Sequence, residues 1–184
     1  LSPYFLSSYN MSVVARSLAF VGLVTIGQSM LLILGELDLS LGVIGGLCGV
    51  IAGILMVNYG INPAVAMSMA LAMGATLGFV NGALVTSLGL HSLVLTIGTA
   101  GIYGGVTLVL TKGVAITNIP AEIQFLGRGS LFGVPLPFVI MIAVLAIATF
   151  ITFKTRFGRY MYAVGNNTAA AKMLGIKVNR VRVA

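Results

Sequence analysis

The sequence predicts an all-α, polytopic transmembrane helical bundle of about five spans, and three observations predict it. Hydrophobic residues make up 59% of the chain and charged residues 7%, with a mean hydropathy of +1.12; an ordinary soluble domain carries roughly 25% charge. No Asp, Glu, Lys or Arg occurs between Asp38 and Lys112, a run that as helix crosses a hydrocarbon core of roughly 30 Å about three times. Seven of the ten basic residues lie between Lys154 and Arg182, so the formal net charge of +7 is a topology signal and not a nucleic-acid footprint.

Five apolar stretches follow in order: Leu18 to Leu34, Leu41 to Val57, Ala64 to Leu88, Leu93 to Thr111 and Leu136 to Phe153. The first two have 17 residues each, the short limit for a crossing, so they are either two spans or one interrupted element. Asn58 to Pro63 reads as a turn, with Pro63 placed where a helix starts without wasting a donor. Gly89 to Ser92 reads as a second turn. The Gly- and Pro-rich connection from Lys112 to Pro135, carrying Glu122 and Arg128, is an external loop or a re-entrant element.

The tail over 154–184 has basic residues and no acidic one, which puts it in the cytoplasm under the positive-inside rule. Counting back places the 112–135 loop outside, His91 inside, the Asn58 turn outside, Glu36 and Asp38 inside, and the N-terminus outside. With no initiator Met at the opening Leu1-Ser2-Pro3-Tyr4 and an end at Ala184, 1–184 is expected to be one transmembrane domain, incomplete at both ends.

Gly45, Gly49 and Gly53, and again Gly74, Gly78 and Gly82, recur at every fourth position. In lipid, helices associate by close backbone approach, so both ladders are expected to pack helices. Gln28 and Asn81, amides inside apolar spans, are expected to hydrogen-bond between helices. Glu36 and Asp38 stand in Gly35-Glu36-Leu37-Asp38-Leu39-Ser40, where an ionised carboxylate needs water, a partner or helix N-terminal amides. The segment is either a short loop, with Asp38 or Ser40 capping the next helix, or a helix break beside a translocation path.

In the tail, Asn167 or Thr168 can cap a short helix, Ala169 to Ala171 propagate it, Lys172 suits its C-terminal end and Gly175 stops it. A helix of about two turns is marginal alone in water and needs a docking surface, either the membrane face or a cytoplasmic partner. Cys48 is the only cysteine, so neither a disulfide framework nor a cysteine metal site is expected. His91, the only histidine, reads as a loop residue. One His, one Cys and three acidic residues make no catalytic constellation. A Gly-x-x-x-x-Gly-Lys-Ser/Thr phosphate loop is also missing, so the chain reads as no ATPase.

Three separated motifs resemble the permeases of monosaccharide-type ABC importers, of the ribose, xylose and galactoside kind, in the branched-chain amino acid and sugar permease superfamily. The first is Gly35-Glu36-Leu37-Asp38-Leu39-Ser40-Leu41-Gly42, similar to Gly-Gly-Ile-Asp-Leu-Ser-Val-Gly, with Glu36 in place of a glycine. That carboxylate is harmless if it faces water; if buried it must be paired or neutral. The second is Leu95-Thr96-Ile97-Gly98-Thr99, with Phe125-Leu126-Gly127 and Val134-Pro135-Leu136-Pro137 downstream. The third runs from Thr155-Arg156-Phe157-Gly158-Arg159-Tyr160 through Ala163-Val164-Gly165-Asn166-Asn167 and Ala169-Ala170-Ala171 to Gly175-Ile176-Lys177-Val178. Ser2-Pro3-Tyr4-Phe5-Leu6 resembles the segment after that family's first helix.

The resemblance implies a multi-pass permease of a bacterial inner membrane that moves a monosaccharide by alternating access. Its implied partners are a second permease copy, an ATP-binding subunit that holds ATP and Mg, and a periplasmic substrate-binding protein. No cofactor is implied in this chain, and no nucleic acid. Gly35, Glu36, Asp38 and Ser40 would lie near the translocation path. Arg156, Gly158, Arg159, Gly165, Asn166, Asn167, Ala170, Lys172 and Gly175 would form the loop coupled to the ATPase. Related permeases carry nucleosides, autoinducer-type sugars or branched-chain amino acids; a reading of another class is a secondary transporter or channel.

Overall fold

The computed structural model describes residues 4–183; Ser2 and Pro3 of the opening motif, and Ala184, lie outside the described residues. The chain runs α1 (Ser8–Ile33), α2 (Leu41–Val57), α3 (Pro63–Leu88), α4 (Ser92–Thr111), α5 (Ala121–Arg128), β1 (Ser130–Leu131), β2 (Val134–Pro135), α6 (Leu136–Lys154), α7 (Arg156–Asn166), α8 (Thr168–Met173) and α9 (Val178–Val183). Helices α1, α3, α4 and α6 are long and apolar enough to cross a membrane, and α2 is a shorter apolar helix of 17 residues. Large side chains such as Leu71, Val109 and Phe150 stand mostly exposed along them. That surface would be costly in water and is ordinary against lipid or further helices.

α1 packs along α6, while α2 lies against both α3 and α4. At one end of the bundle Leu34, Met161, Val164, Ala171, Val178 and Val181 join the end of α1 to α7, α8 and α9. At the other end Ala52, Met56, Ala66 and Ala70 pack with Ile123 of α5. α2 therefore begins near the tail-side end and finishes at the far end, so it doubles back and is not the continuation of α1.

The elements begin and end where local chemistry dictates. Ser7 caps α1 by accepting from the Asn10 N–H at 3.3 Å. The helix thus starts ten residues before the expected Leu18. At about 39 Å for its 26 residues, α1 is longer than a hydrocarbon core of roughly 30 Å. Arg16 lies about 12 Å along α1 from Ser8, and its Nη2 donates to the Arg128 carbonyl at 2.7 Å.

The connection from Lys112 to Pro135 is not bare loop. It holds α5, with Glu122 in the first turn and Arg128 in the last, as the helix dipole favours. It also holds a two-residue hairpin pairing Ser130 with Pro135 and Leu131 with Val134.

The tail is more structured than its expected single helix. Thr155 caps α7 through the Gly158 N–H, and Asn167 caps α8 through the Ala170 N–H at 3.0 Å. Gly175, at φ +77°, closes α8 with its own N–H to the Lys172 carbonyl and the Ile176 N–H to the Ala171 carbonyl, the paired bonds of a Schellman stop. Sequence reading missed α7 and α9 because neither has an apolar run of span length.

Glycines mark where these pieces touch. A Cβ at Gly165 would collide with the Ile33 carbonyl, and one at Gly158 with the Thr152 carbonyl, so α7 lies directly on the backbone ends of α1 and α6. In the two ladders, Gly53 meets Ile116, Gly74 meets Cys48 and Gly82 meets Val183, whereas Gly45, Gly49 and Gly78 face open space. Gly165→Ala is expected to destabilise the detergent-purified protein by about 1–3 kcal/mol through overpacking, read as a lower thermal unfolding midpoint. Gly49→Ala, with nothing within 4 Å of its Cβ, should not lower it.

Candidate functional site

The segment Gly35 to Ser40 lies between the end of α1 and the start of α2, and its backbone is held by side chains. Gly35, at φ +77°, ends α1 with a second Schellman stop: its N–H bonds the Leu32 carbonyl and the Glu36 N–H bonds the Leu31 carbonyl at 3.0 Å. Beyond it the chain leaves the helix. The Leu37 N–H donates to Ser92 Oγ at 3.2 Å, the Asp38 N–H to Gln28 Oε1 at 3.4 Å and the Leu39 N–H to Thr96 Oγ1 at 3.1 Å. The Ser40 N–H donates to Asp38 Oδ1 at 2.7 Å. Every amide from Glu36 to Ser40 thus has an acceptor, three of them on the side chains of α1 and α4.

The segment is a connection between α1 and α2, a break in helical backbone packed among helices. Ser40 holds the first position before α2, but its hydroxyl caps nothing; it donates to Asp38 Oδ1 at 2.6 Å. The same hydroxyl accepts from Asn81 Nδ2 at 2.8 Å, and Asn81 Oδ1 accepts from the Tyr103 hydroxyl at 3.1 Å. Asp38, Ser40, Asn81 and Tyr103 therefore form one chain of hydrogen bonds through α2, α3 and α4, with Ser40 and Asn81 fully buried. Asn81 stands about 10 Å of helix axis before α3 ends at Leu88, so the network lies inside the bundle and not at its edge.

Two of the three motifs thus meet in space. Thr96, from the second, accepts from Leu39 of the first. Thr96 and Thr99 stand in the second motif, whereas Ser92 and Tyr103 were not singled out in the sequence; all four are the buried residues of α4. Their spacing of 4, 3 and 4 places them on one helix face, a polar stripe on an apolar helix that marks them.

An open cavity of about 740 Å³ adjoins the break, with Glu36, Asp38, Asn81, Ser92, Thr96 and Arg182 in its lining. That volume falls within the roughly 300–1,000 Å³ of small-molecule sites. Glu36, 16% exposed, lies against Arg182 of α9, with Oε1 3.1 Å from Nε. The Nε–H makes no aligned hydrogen bond, so the contact is a sheltered ion pair without directional lock. This answers the question the motif's extra carboxylate raised: it is partly buried and paired. Among the described residues no group of His, Cys, Asp and Glu could hold a metal ion.

The tail residues divide by position. Arg156, Arg159, Asn166, Asn167, Ala170 and Lys172 are exposed, while Gly158 and Gly165 are the contact points with α6 and α1. Met173 and Leu174, 89% and 78% exposed at the end of α8, form an apolar tip that the sequence did not mark.

Comparison with known proteins places this geometry in context. The family described as branched-chain amino acid transport system / permease component matches residues 10–184. The autoinducer 2 import system permease protein LsrC of Photorhabdus luminescens is 36% identical over 180 residues, covering 97% of this chain and 54% of that protein. Its namesake in Yersinia enterocolitica is 39% identical over 162 residues, 88% of this chain and 44% of the relative. The one in Escherichia coli O9:H4 is 34% identical over 183 residues, 100% of this chain and 53% of the relative. The chain spans about half the length of the curated relatives it matches. No solved structure matches it.

Interhelical hydrogen bonds in membranes are worth about 0.6 kcal/mol on average and up to about 1.7. A double-mutant cycle on Ser40→Ala and Asn81→Leu, followed by unfolding in detergent, should give a coupling in that span. A coupling of zero would mean the two side chains do not bond.

Proposed function

The chain belongs to the branched-chain amino acid transport system / permease component family, and from that membership we propose that it supplies membrane helices of an ATP-driven importer for a small sugar-like molecule. The match to import-system permeases over 97% of the chain carries this reading. Among the cargoes of the superfamily, the relatives' names favour the autoinducer-2 type, a small polyhydroxylated molecule, over nucleosides and amino acids. The cavity beside the break supports it: the space suits a small molecule, and its largely apolar walls carry a few polar side chains, Asp38 and Thr96 among them, of hydroxyl-compatible chemistry. Such a path needs few contacts, because a substrate-binding protein outside would select the cargo.

In this reading the membrane is the bacterial inner membrane, the basic tail faces the cytoplasm, and a second permease copy completes the path. ATP and Mg are held by a separate subunit, which the tail docks through α8. Asn167 and Gly175 fix the two ends of that helix, Lys172 stands on its surface and Met173 with Leu174 forms the apolar tip that enters the partner. Arg156, Arg159, Asn166 and Ala170 would border the contact. Closure of the ATPase would then shift α8, and the packed helices would exchange between two arrangements of similar free energy.

Replacing both Met173 and Leu174 with Asp in the full-length protein should lower the amount of co-purified ATP-binding subunit by about tenfold, the loss of a modest hot spot. Membrane insertion should be unaffected. Undiminished co-purification would remove α8 as the docking element. In vesicles, uptake that stops when ATP is withdrawn and persists with a protonophore supports the importer. The reverse pattern would support a secondary transporter.

A further inference from the structure

We propose that Glu36 and Arg182 are a positioning pair that ties the cytoplasmic tail to the helix break, holding the tail-side wall of the cavity closed in this arrangement and releasing it during transport. This rests on the importer reading above and adds the route by which motion in the tail reaches the path.

The route can be followed residue by residue. Ala171 of α8, Val178 and Val181 of α9, Met161 and Val164 of α7, and Leu34 at the end of α1 form one buried cluster. Close-packed side chains of this kind transmit displacement instead of absorbing it. α9 is also seated on α3, where a Cβ at Gly82 would come within 3.2 Å of Val183 Cα. Between those two seats lies Arg182, whose Nε is 3.1 Å from Glu36 Oε1. Glu36 is the residue that follows the Schellman stop of α1, two positions before Asp38. A shift of α8 is thus passed through α9 and the ion pair to the segment that carries Asp38 and Ser40.

Three features suit this pair to release and re-form. Both residues line the cavity, together with Val181 and Val183 of α9 and Phe157 of α7, so separation of the pair opens that wall. The side chains are 30% and 16% exposed, sheltered enough for the attraction to matter and wet enough for either charge to survive alone. The contact is single and unaligned, unlike a two-pronged Arg–carboxylate fork that fixes one geometry.

The test uses the full-length permease assembled with its ATPase and binding protein in proteoliposomes, and reads the ATP hydrolysed per cargo molecule imported. Glu36→Gln and Arg182→Gln should each raise that ratio by about fivefold or more, the low end of ordinary coupling between sites. The charge-swapped variant, Glu36→Arg with Arg182→Glu, should return it toward the unmodified value. A merely structural role would lower import and hydrolysis together and leave the ratio unchanged. An unchanged ratio in both single variants overturns the proposal, as does a swap that restores nothing.

A second measurement does not depend on charge. With Cys48→Ala, cysteines at 36 and 182 joined by a cleavable thiol cross-linker should arrest import, and reduction should restore it. Full import by the cross-linked complex overturns the latch. Import without ATP by the unmodified complex would overturn the importer reading itself, a result distinct from either.

Discussion

The backbone amides of Glu36 to Ser40 are the constraint on which the rest of this structure depends. In a hydrocarbon solvent an unbonded N–H costs several kcal/mol, so a chain that leaves the helix must carry its own acceptors or borrow them. Here it does both: Asp38 serves the Ser40 amide, and Gln28, Ser92 and Thr96 serve the three before it. The break therefore exists only where α1 and α4 flank it. That requirement brings together residues more than fifty positions apart in sequence, as Leu39 and Thr96 are.

The same constraint explains why polar residues in these apolar helices are not scattered. Ser92 and Thr96 face the break, Tyr103 reaches Asn81, and Asn81 reaches Ser40. Each bond alone is worth little in lipid. Their value lies in register: α2, α3 and α4 share one set of partners, and sliding any of them by a residue would orphan a buried group. The cavity beside this network inherits a fixed floor, while its tail-side wall is made by short helices held through one small apolar cluster and one ion pair. Rigid and movable parts are thus placed side by side.

Much of this was legible in the sequence, for identifiable reasons. Hydropathy located α3, α4 and α6 to within one residue of their ends, since breakers such as Pro63, Gly89 and Pro135 bound them. The Asn167 cap and the Gly175 stop of α8 follow from local chemistry and stand in the structure as expected. The apolar stretch begins at Leu18 but α1 begins at Ser8, because hydropathy finds the apolar part of a helix and not the capped turns before it. Thr96 was legible as part of the second motif but its partner was not, and Ser92 and Tyr103 share its face at a spacing that went unread, because only tertiary packing shows what that face meets. The pairing of Glu36 with Arg182 was hidden likewise: nothing in a run of tail arginines singles out the one that reaches back to α1.

The most direct test is residue-resolved hydrogen exchange of the Leu37 and Leu39 amides in the full-length protein in lipid nanodiscs. Slow exchange at both positions is expected, with Thr96→Val, which keeps shape and removes the acceptor, releasing Leu39 while leaving Leu37 protected through Ser92. Exchange at the rate of an open loop in the unmodified protein would contradict the central claim, for the segment would then be solvated and its distant partners irrelevant.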